Sequence, residues 1–344
     1  MHFTSLSRAA RSALSAALSA ALSAALPATL ALGLIGASFN AAAQAGAWPQ
    51  KPLRLLVAAP AGSAPDLIAR IIGDKLGKSL GQPVIIDNKP GAGGIIAMNQ
   101  LKAAPADGYT LALPQAAVLV VTPHTYKEAA YDPERDFETV AMVGKTPMLF
   151  VANMAHPVRS FADAVSMAKA KPDQVSIGNP TRTSIPHLAS ELAGLKMDAK
   201  FQQVSFAATP QGLQAVVNGD INMYVDGVGP LLQLVKAGKL RAIAVAAETE
   251  LPGLEGIPLV NKTVPGLNVY GWFLLQAPKG TPQAVLQRVN ADVNKAMAEP
   301  DVIARFREFG TYPTPGTLAD ADRFLKGEKA LFGGVIRTLG LKPE

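Results

Sequence analysis

The stretch LRLLVAAPAGSAPDLIAR, residues 53–70, decides how the chain is read. Its first seven residues are an apolar run suited to a buried strand, and Leu67, Ile68, Ile71, Ile72 and Leu76 then recur on one helical face. Between strand and helix lies a loop of small residues around Gly62. In open α/β sheets ligands bind beyond the carboxyl ends of the strands. A helix N-terminus there presents free N–H groups and about half a positive charge, which attract anions.

The same alternation runs outward from this stretch. PVIIDN (83–88) and YTLALP (109–114) read as strands around the helical IIAMNQLKAA (95–104). Further on, QVSIGN, FQQVSF, INMYVDG and LRAIAVAA read as strands, separated by the helical segments SIPHLASELAGL, TPQGLQAVVNG and GPLLQLVKAG, with FADAVSMAKAKP a helix before them. Strand alternating with helix predicts parallel sheets covered on both faces. After about Glu250 come a Pro/Gly-rich stretch, the apolar strand VYGWFLLQAP and helices, of which TPQAVLQRVNADVNKAM should start with Thr281 as N-cap and Pro282 at the first position. These last helices follow only one strand, so they return to cover the first unit. The chain therefore crosses twice between two α/β units, near 143–151 and 241–247, leaving a cleft.

Length and composition agree with a two-unit globular protein: 344 residues, 49% hydrophobic and 17% charged, with 30 Gly and 27 Pro. The N-terminus stands apart. Arg8 and Arg11 precede a long Ala/Leu/Ser segment that ends in AAAQAGA, the pattern of a secretory signal peptide over residues 1–45 with cleavage after Ala43 or Ala45. An uncleaved anchor is the alternative, against which the repeated Ser and Pro27 argue. Beyond the signal there are 30 Lys and Arg against 26 Asp and Glu, a net +4 that is scattered rather than gathered into a nucleic-acid stripe. With no cysteine, disulfides, thiolate metal sites, Cys nucleophiles and a lipidated N-terminal Cys are excluded. An exported protein without these is expected to be a soluble, monomeric periplasmic one.

Four turns share one design, a strand, a small-residue loop and a helix N-terminus: Ala59–Asp66, Gly178–Ser184, Phe206–Pro210 and Asp226–Pro230. In the first, Ser63 and Asp66 have the S-x-x-D spacing of a capping box, and Gly62 permits close approach of a ligand. In the second, Thr183 or Ser184 can cap the helix or hold a carboxylate, and Arg182 is the only cation in the four loops. Asp226 ends a strand without other charge and suits either a turn or a ligand N–H, hydroxyl or water. Neither G-x-x-x-x-G-K-[ST] nor G-x-G-x-x-G occurs, so PGAGG (90–94) reads as a turn and helix start. The histidines beyond the signal, His124, His156 and His187, lack H-E-x-x-H spacing, and no G-x-S-x-G elbow is present. A His187–Asp226 pairing is the remaining enzymatic arrangement. Trp272 and Phe273 read as core, Tyr131 as packing, and no cofactor or metal is expected.

WPQKPLRLLVAAPAGSAPDLIARIIGDKLGKSLGQPVIIDNKPGAGG, followed by APADGYTLAL, closely resembles the substrate-binding proteins of tripartite tricarboxylate transporters, the Bug or TctC-type family. YDPERDF, the HLASEL helix, VKAGKLRAIAV, WFLLQAP and TPQAVLQRVNADVNKAM extend the resemblance over the chain beyond the signal. The resemblance implies a two-lobed periplasmic binding protein of type II, the Venus flytrap, each lobe a mostly parallel sheet flanked by helices. Residues 48–147 plus 248–344 would form one lobe and 148–247 the other. It also implies a small carboxylate in the cleft and transient membrane transporter subunits as partners. The family's ligand positions fall on Gly62, Ser63 and Ala64, on Asn179, Thr183, Ser184 and Ile185, and on Asp226.

The departures from the family pattern add Phe206 and Arg182 to the expected site. The usual P-G-G-S-T-D becomes Ala61-Gly62-Ser63-Ala64-Pro65-Asp66, Tyr-Lys-Gly becomes Phe206-Ala207-Ala208, and Phe-Asp-Asn becomes Val225-Asp226-Gly227. Polar groups give way to apolar or small ones, so the expected ligand has an apolar or aromatic body and one carboxylate, steadied by Arg182. An extracytoplasmic sensor input for a kinase is the alternative role, since both uses rest on closure around the solute.

Overall fold

The computed structural model describes residues 48–343, and the expected signal segment 1–45 lies outside them. The elements in chain order are β1 (Leu53–Val57), α1 (Ala64–Leu80), β2 (Val84–Asn88), α2 (Ile95–Lys102), β3 (Thr110–Leu113), α3 (Ala116–Val120), α4 (Thr122–Thr125) and the long β4 (Phe137–Asn153). Then follow α5 (Phe161–Ala170), β5 (Ser176–Asn179), α6 (Ile185–Met197), β6 (Gln202–Ser205), α7 (Thr209–Asn218), β7 (Met223–Gly227), α8 (Val228–Lys236) and β8 (Leu240–Ala246). The chain finishes with β9 (Tyr270–Pro278), α9 (Gln283–Met297), α10 (Pro300–Glu308), β10 (Tyr312–Pro313) and α11 (Leu318–Thr338).

The strands run in the order β2-β1-β3-β9-β4-β7-β5-β6, with β8 and β10 also paired to β4. The α/β units read from periodicity are the parallel parts: β1 pairs with β2 and β3, and β5 with β6 and β7. The sheet is mixed, because β4 and β9 carry the chain in opposite directions and therefore pair antiparallel, from Phe137↔Pro278 to Pro147↔Tyr270. Beyond Pro147, β4 exchanges partners: Met148 to Ala152 pair with β7, and Met148 to Asn153 with β8. One unbroken strand thus belongs to both strand groups, and the return runs through residues 247–269.

Local signals account for some of the element ends. Ser160 with Asp163 and Thr317 with Asp320 complete capping boxes at the starts of α5 and α11. The expected start of α9 shifts by one residue. Pro282 itself occupies the N-cap, and the Thr281 hydroxyl donates back to the Pro278 carbonyl at 2.8 Å instead of capping the helix. Apolar packing holds the crossing strand in place: Phe150 of β4 meets Phe161 edge-on at 4.8 Å between centroids, and both are fully buried. Tyr131 is packing as expected, its hydroxyl donating to the Val118 carbonyl.

Candidate functional site

The N-termini of three helices of nine residues or more converge on one cavity of about 290 Å³. Ala64 and Pro65 bring the start of α1, Ser184, Ile185 and Pro186 the start of α6, and Gly227, Gly229 and Pro230 the start of α8. Gln115, Ala116 and Ala117 line it at the start of α3. Thr146 and Met148 come from β4, at the point where that strand changes partners, and Gly271, Trp272 and Phe273 from β9. Phe309 and Thr311, which flank the turn before β10, close the wall. Larger concavities of about 590 Å³ lie along α1 and β2 and along α6 and β6, but neither gathers helix N-termini.

The loop after β1 is held by the carboxylate of Asp66, which is 1% exposed. Its Oδ2 accepts from the Gly62 N–H at 2.8 Å and from Arg70 Nε at 3.0 Å, and its Oδ1 accepts from Asn88 Nδ2 at 3.0 Å. Burial works to raise the Asp66 carboxyl, but these three donors outweigh it and hold it below its ordinary value. The expected Ser63–Asp66 capping box does not form. The Ser63 hydroxyl turns back to donate to the Pro60 carbonyl at 2.6 Å, and no side chain caps α1. Gly62 adopts φ +80°, the left-handed conformation that glycine tolerates, with open space around its Cα.

At α6 the cap is complete: Ser184 Oγ accepts the His187 N–H at 3.2 Å. His187 Nδ1 in turn accepts the Thr183 N–H at 3.4 Å, while its Nε2 lies 3.5 Å from Glu191 Oε1. The Asp226 carboxylate has different partners. Its Oδ1 accepts the Gly227 N–H at 2.7 Å and its Oδ2 accepts from Thr209 Oγ1 at 2.9 Å. The His187–Asp226 arrangement that an enzyme would have used is absent from the bonds that either side chain makes. Burial pushes the Asp226 carboxyl up to about 6 against the opposing pull of Gly227 and Thr209.

Of the residues expected from sequence, Ala64, Ser184, Ile185 and Asp226 line the cavity. Gly62 and Ser63 sit just behind Ala64 in the loop. Asn179 is fully buried, its Oδ1 accepting from Ser205 Oγ at 2.8 Å, and Phe206 packs 6.3 Å from the Tyr224 ring. Arg182 and Thr183 line a separate surface cavity of about 400 Å³ with Thr125, Tyr126 and Lys342. Among the residues missed by sequence reasoning are Gln115, Thr146, Met148, Trp272, Phe273, Phe309 and Thr311. Trp272 and Phe273 are buried, as expected of core, and form cavity wall as well.

The described residues lining this cavity include no lysine, arginine or histidine and one carboxylate, Asp226. Its attraction for an anion rests on the partial positive charge of α1, α6 and α8 and on hydroxyl and amide groups. Met148, Trp272, Phe273 and Phe309 supply an apolar wall. Among the described residues no group of three or more His, Asp or Glu is placed to hold a metal ion, and no helix is long and apolar enough to cross a membrane.

Known proteins resemble the chain over most of its length. Residues 68–341 match the model of the tripartite tricarboxylate transporter family receptor. The chain is 33% identical over 302 residues to a UPF0065 protein of Bordetella bronchiseptica, covering 88% of this chain and 90% of that one. Among solved structures, R. palustris Rpa4515 with adipate is similar at 29% identity and TM-score 0.73, covering 86% of this chain and 100% of that one. MatC from Rhodopseudomonas palustris with bound malate is similar at 26% identity and TM-score 0.68, covering 84% and 100% respectively.

Proposed function

Because the chain belongs to the tripartite tricarboxylate transporter receptor family, we propose that it captures a small carboxylate in the cavity and delivers it to the membrane subunits of such a transporter. The observation that carries this reading is the convergence of three helix N-termini on a cavity lined by no lysine or arginine and walled by Met148, Trp272, Phe273 and Phe309. Dipoles and N–H groups suffice for a single carboxylate, whereas a second or third would lack a counter-charge and meet Asp226. The ligand accordingly has one carboxylate and an apolar or aromatic body. The carboxylate lies against Ala64, Ser184 and Ile185, and Asp226 accepts from a ligand N–H or hydroxyl or from a bridging water. Adipate beside Rpa4515 and malate beside MatC support a carboxylate as the ligand class.

The protein works as a monomeric binder in the periplasm, exported by its N-terminal segment, and not as an enzyme. The two lobes, residues 48–147 with 248–344 and residues 148–247, close on the solute because it contacts both only in the closed state. Thermal unfolding of the signal-free protein against mono-, di- and tricarboxylates, aromatic acids included, tests the reading. A ligand at 100 times its dissociation constant stabilises the fold by roughly 2.7 kcal/mol. Benzoate-like acids should shift the transition more than citrate; a preference for citrate over every aromatic monocarboxylate overturns the proposed ligand.

A further inference from the structure

Arg182, the only cation of the four loops, does not line the solute cavity. It lines the separate surface cavity of about 400 Å³, where the second cation is Lys342 and no carboxylate is among the lining residues. Among the described residues neither cationic side chain has an ion pair or a hydrogen bond. Other cations of α2 and α11 are satisfied: Lys102 meets Asp136, and Lys329 meets Asp132 and Glu134. The backbone brings Arg182 and Lys342 together from distant parts of the chain. Arg182 precedes the left-handed Thr183 in the loop before α6. Gly340, φ 63°, ends α11 in the same left-handed region, and the Leu341 N–H donates back to the Ile336 carbonyl at 3.1 Å, so the chain turns and delivers Lys342 to the cavity.

Tyr126 also lines this cavity. Its ring lies against Gly93, where a Cβ would stand 3.0 Å from Cε2, and its hydroxyl has no hydrogen-bond partner among the described residues. The surroundings are positive as well. His124, two residues before Tyr126, is held below its ordinary value by burial first and then by the charges of Lys329 and Arg337, with Asp132 opposing. Two like charges in one concavity repel each other, and an anion removes that repulsion while the arginine fork grips two of its oxygens. A concave site lined by one sign of charge also focuses the potential and concentrates counter-ions.

We propose that this cavity is a second anion site: it takes a small, doubly charged oxyanion of the sulfate or hydrogen phosphate class between the Arg182 guanidinium and the Lys342 ammonium, with the Tyr126 hydroxyl as a further donor. The bound anion ties the loop before α6 to the chain end after α11. Thr183 lines this cavity and the next residue, Ser184, lines the solute cavity, so the two sites share one loop. The second site goes beyond the proposed function and does not depend on which solute the first one takes.

The test titrates sulfate, then phosphate, into the signal-free protein by calorimetry, with chloride holding the ionic strength and hence the screening constant. The protein should bind one sulfate saturably. Arg182→Gln and Lys342→Gln, both at exposed positions, should each weaken binding roughly tenfold, the scale of one charge-assisted hydrogen bond. Arg182→Lys, which keeps the charge without the fork, should fall between. In hydrogen exchange, sulfate should protect residues 180–184 and 339–342 together, and neither segment in the double variant. No saturable binding of either anion overturns the proposal, and protection of one segment alone overturns the bridge. Binding unchanged in the double variant also overturns it and moves the anion to the helix N-termini of the solute cavity. Tetraglutamate bound through both residues while sulfate and phosphate do not bind overturns it too, and assigns the pair to an acidic segment of a partner protein.

Discussion

Replacing Asp226 by Asn should stabilise the protein, and do so progressively above about pH 4. The group titrates near the ordinary 3.8 in the unfolded chain and near 6 in the folded one, because burial penalises its charge. Between those values the folded state holds a proton that the unfolded state has released. The stability linked to this proton is fully present below 3.8, declines as pH rises through the window, and is lost above about 6. At roughly 1.4 kcal/mol for each pH unit between the two values, the loss reaches about 3 kcal/mol by neutral pH.

Asparagine has no charge to desolvate and fits the same contacts, its Oδ1 accepting the Gly227 N–H and its amide donating to the Thr209 hydroxyl, which turns to accept. Denaturant unfolding of both proteins from pH 4 to pH 8 gives a difference in which every other titrating group cancels. That difference should be small at pH 4, rise through the window and level off above about pH 7. A difference independent of pH refutes the desolvated carboxylate, and one that falls with pH means that Asp226 is held ionised by a partner. The same chemistry bears on the ligand: above pH 6 the site offers a charged acceptor, which favours an N–H or hydroxyl and opposes a second carboxylate.

Two further substitutions probe the elements that shape the cavity. A Cβ on Gly229 would lie 2.8 Å from the Phe309 carbonyl oxygen, so Gly229→Ala must push back the turn that carries a wall residue; we expect a loss of about 1–3 kcal/mol in thermal unfolding. Asp66→Asn keeps one acceptor oxygen for Gly62, Asn88 and Arg70 but loses the charge that Arg70 meets. Because the Asp66 carboxyl is held below its ordinary value, its contribution is present above pH 3.8 and lost as pH falls through the folded value. The advantage of wild type over Asp66→Asn should therefore shrink in acid unfolding as pH drops below 3.8, and an advantage that grows there contradicts the assignment.

The strand-to-helix turns were legible because both halves of each turn are written locally, in an apolar run and in a period of 3.6. That is why Ala64, Ser184 and Asp226, which lie in those turns, were found, whereas Ile185 came only from the family resemblance. Thr146, Met148, Trp272, Phe273 and Thr311 were not, since they meet only through the antiparallel register of β4 with β9 and β10. No local pattern encodes that register, and a strand buried on both faces hides a ligand wall inside what reads as core. Arg182 stood out as the only cation of its loop. The backbone there passes through a left-handed Thr183, φ 64°, and Arg182 ends beside Tyr126 and Lys342.

The S-x-x-D spacing at Ser63 and Asp66 failed as a cap for a reason that bears on function. The same kind of spacing completes a capping box at Ser160–Asp163 and at Thr317–Asp320, both away from the cavity. At α1 the carboxylate is claimed by Gly62, Asn88 and Arg70, and the serine hydroxyl by Pro60. The first turn of α1 is thus left without a side-chain cap where it meets the cavity. Uncapped first-turn N–H groups are normally satisfied by water or by a ligand. On the proposed function the ligand carboxylate takes the place of the missing cap, so a spacing that stabilises two other helices by itself marks here a helix whose cap arrives from solution.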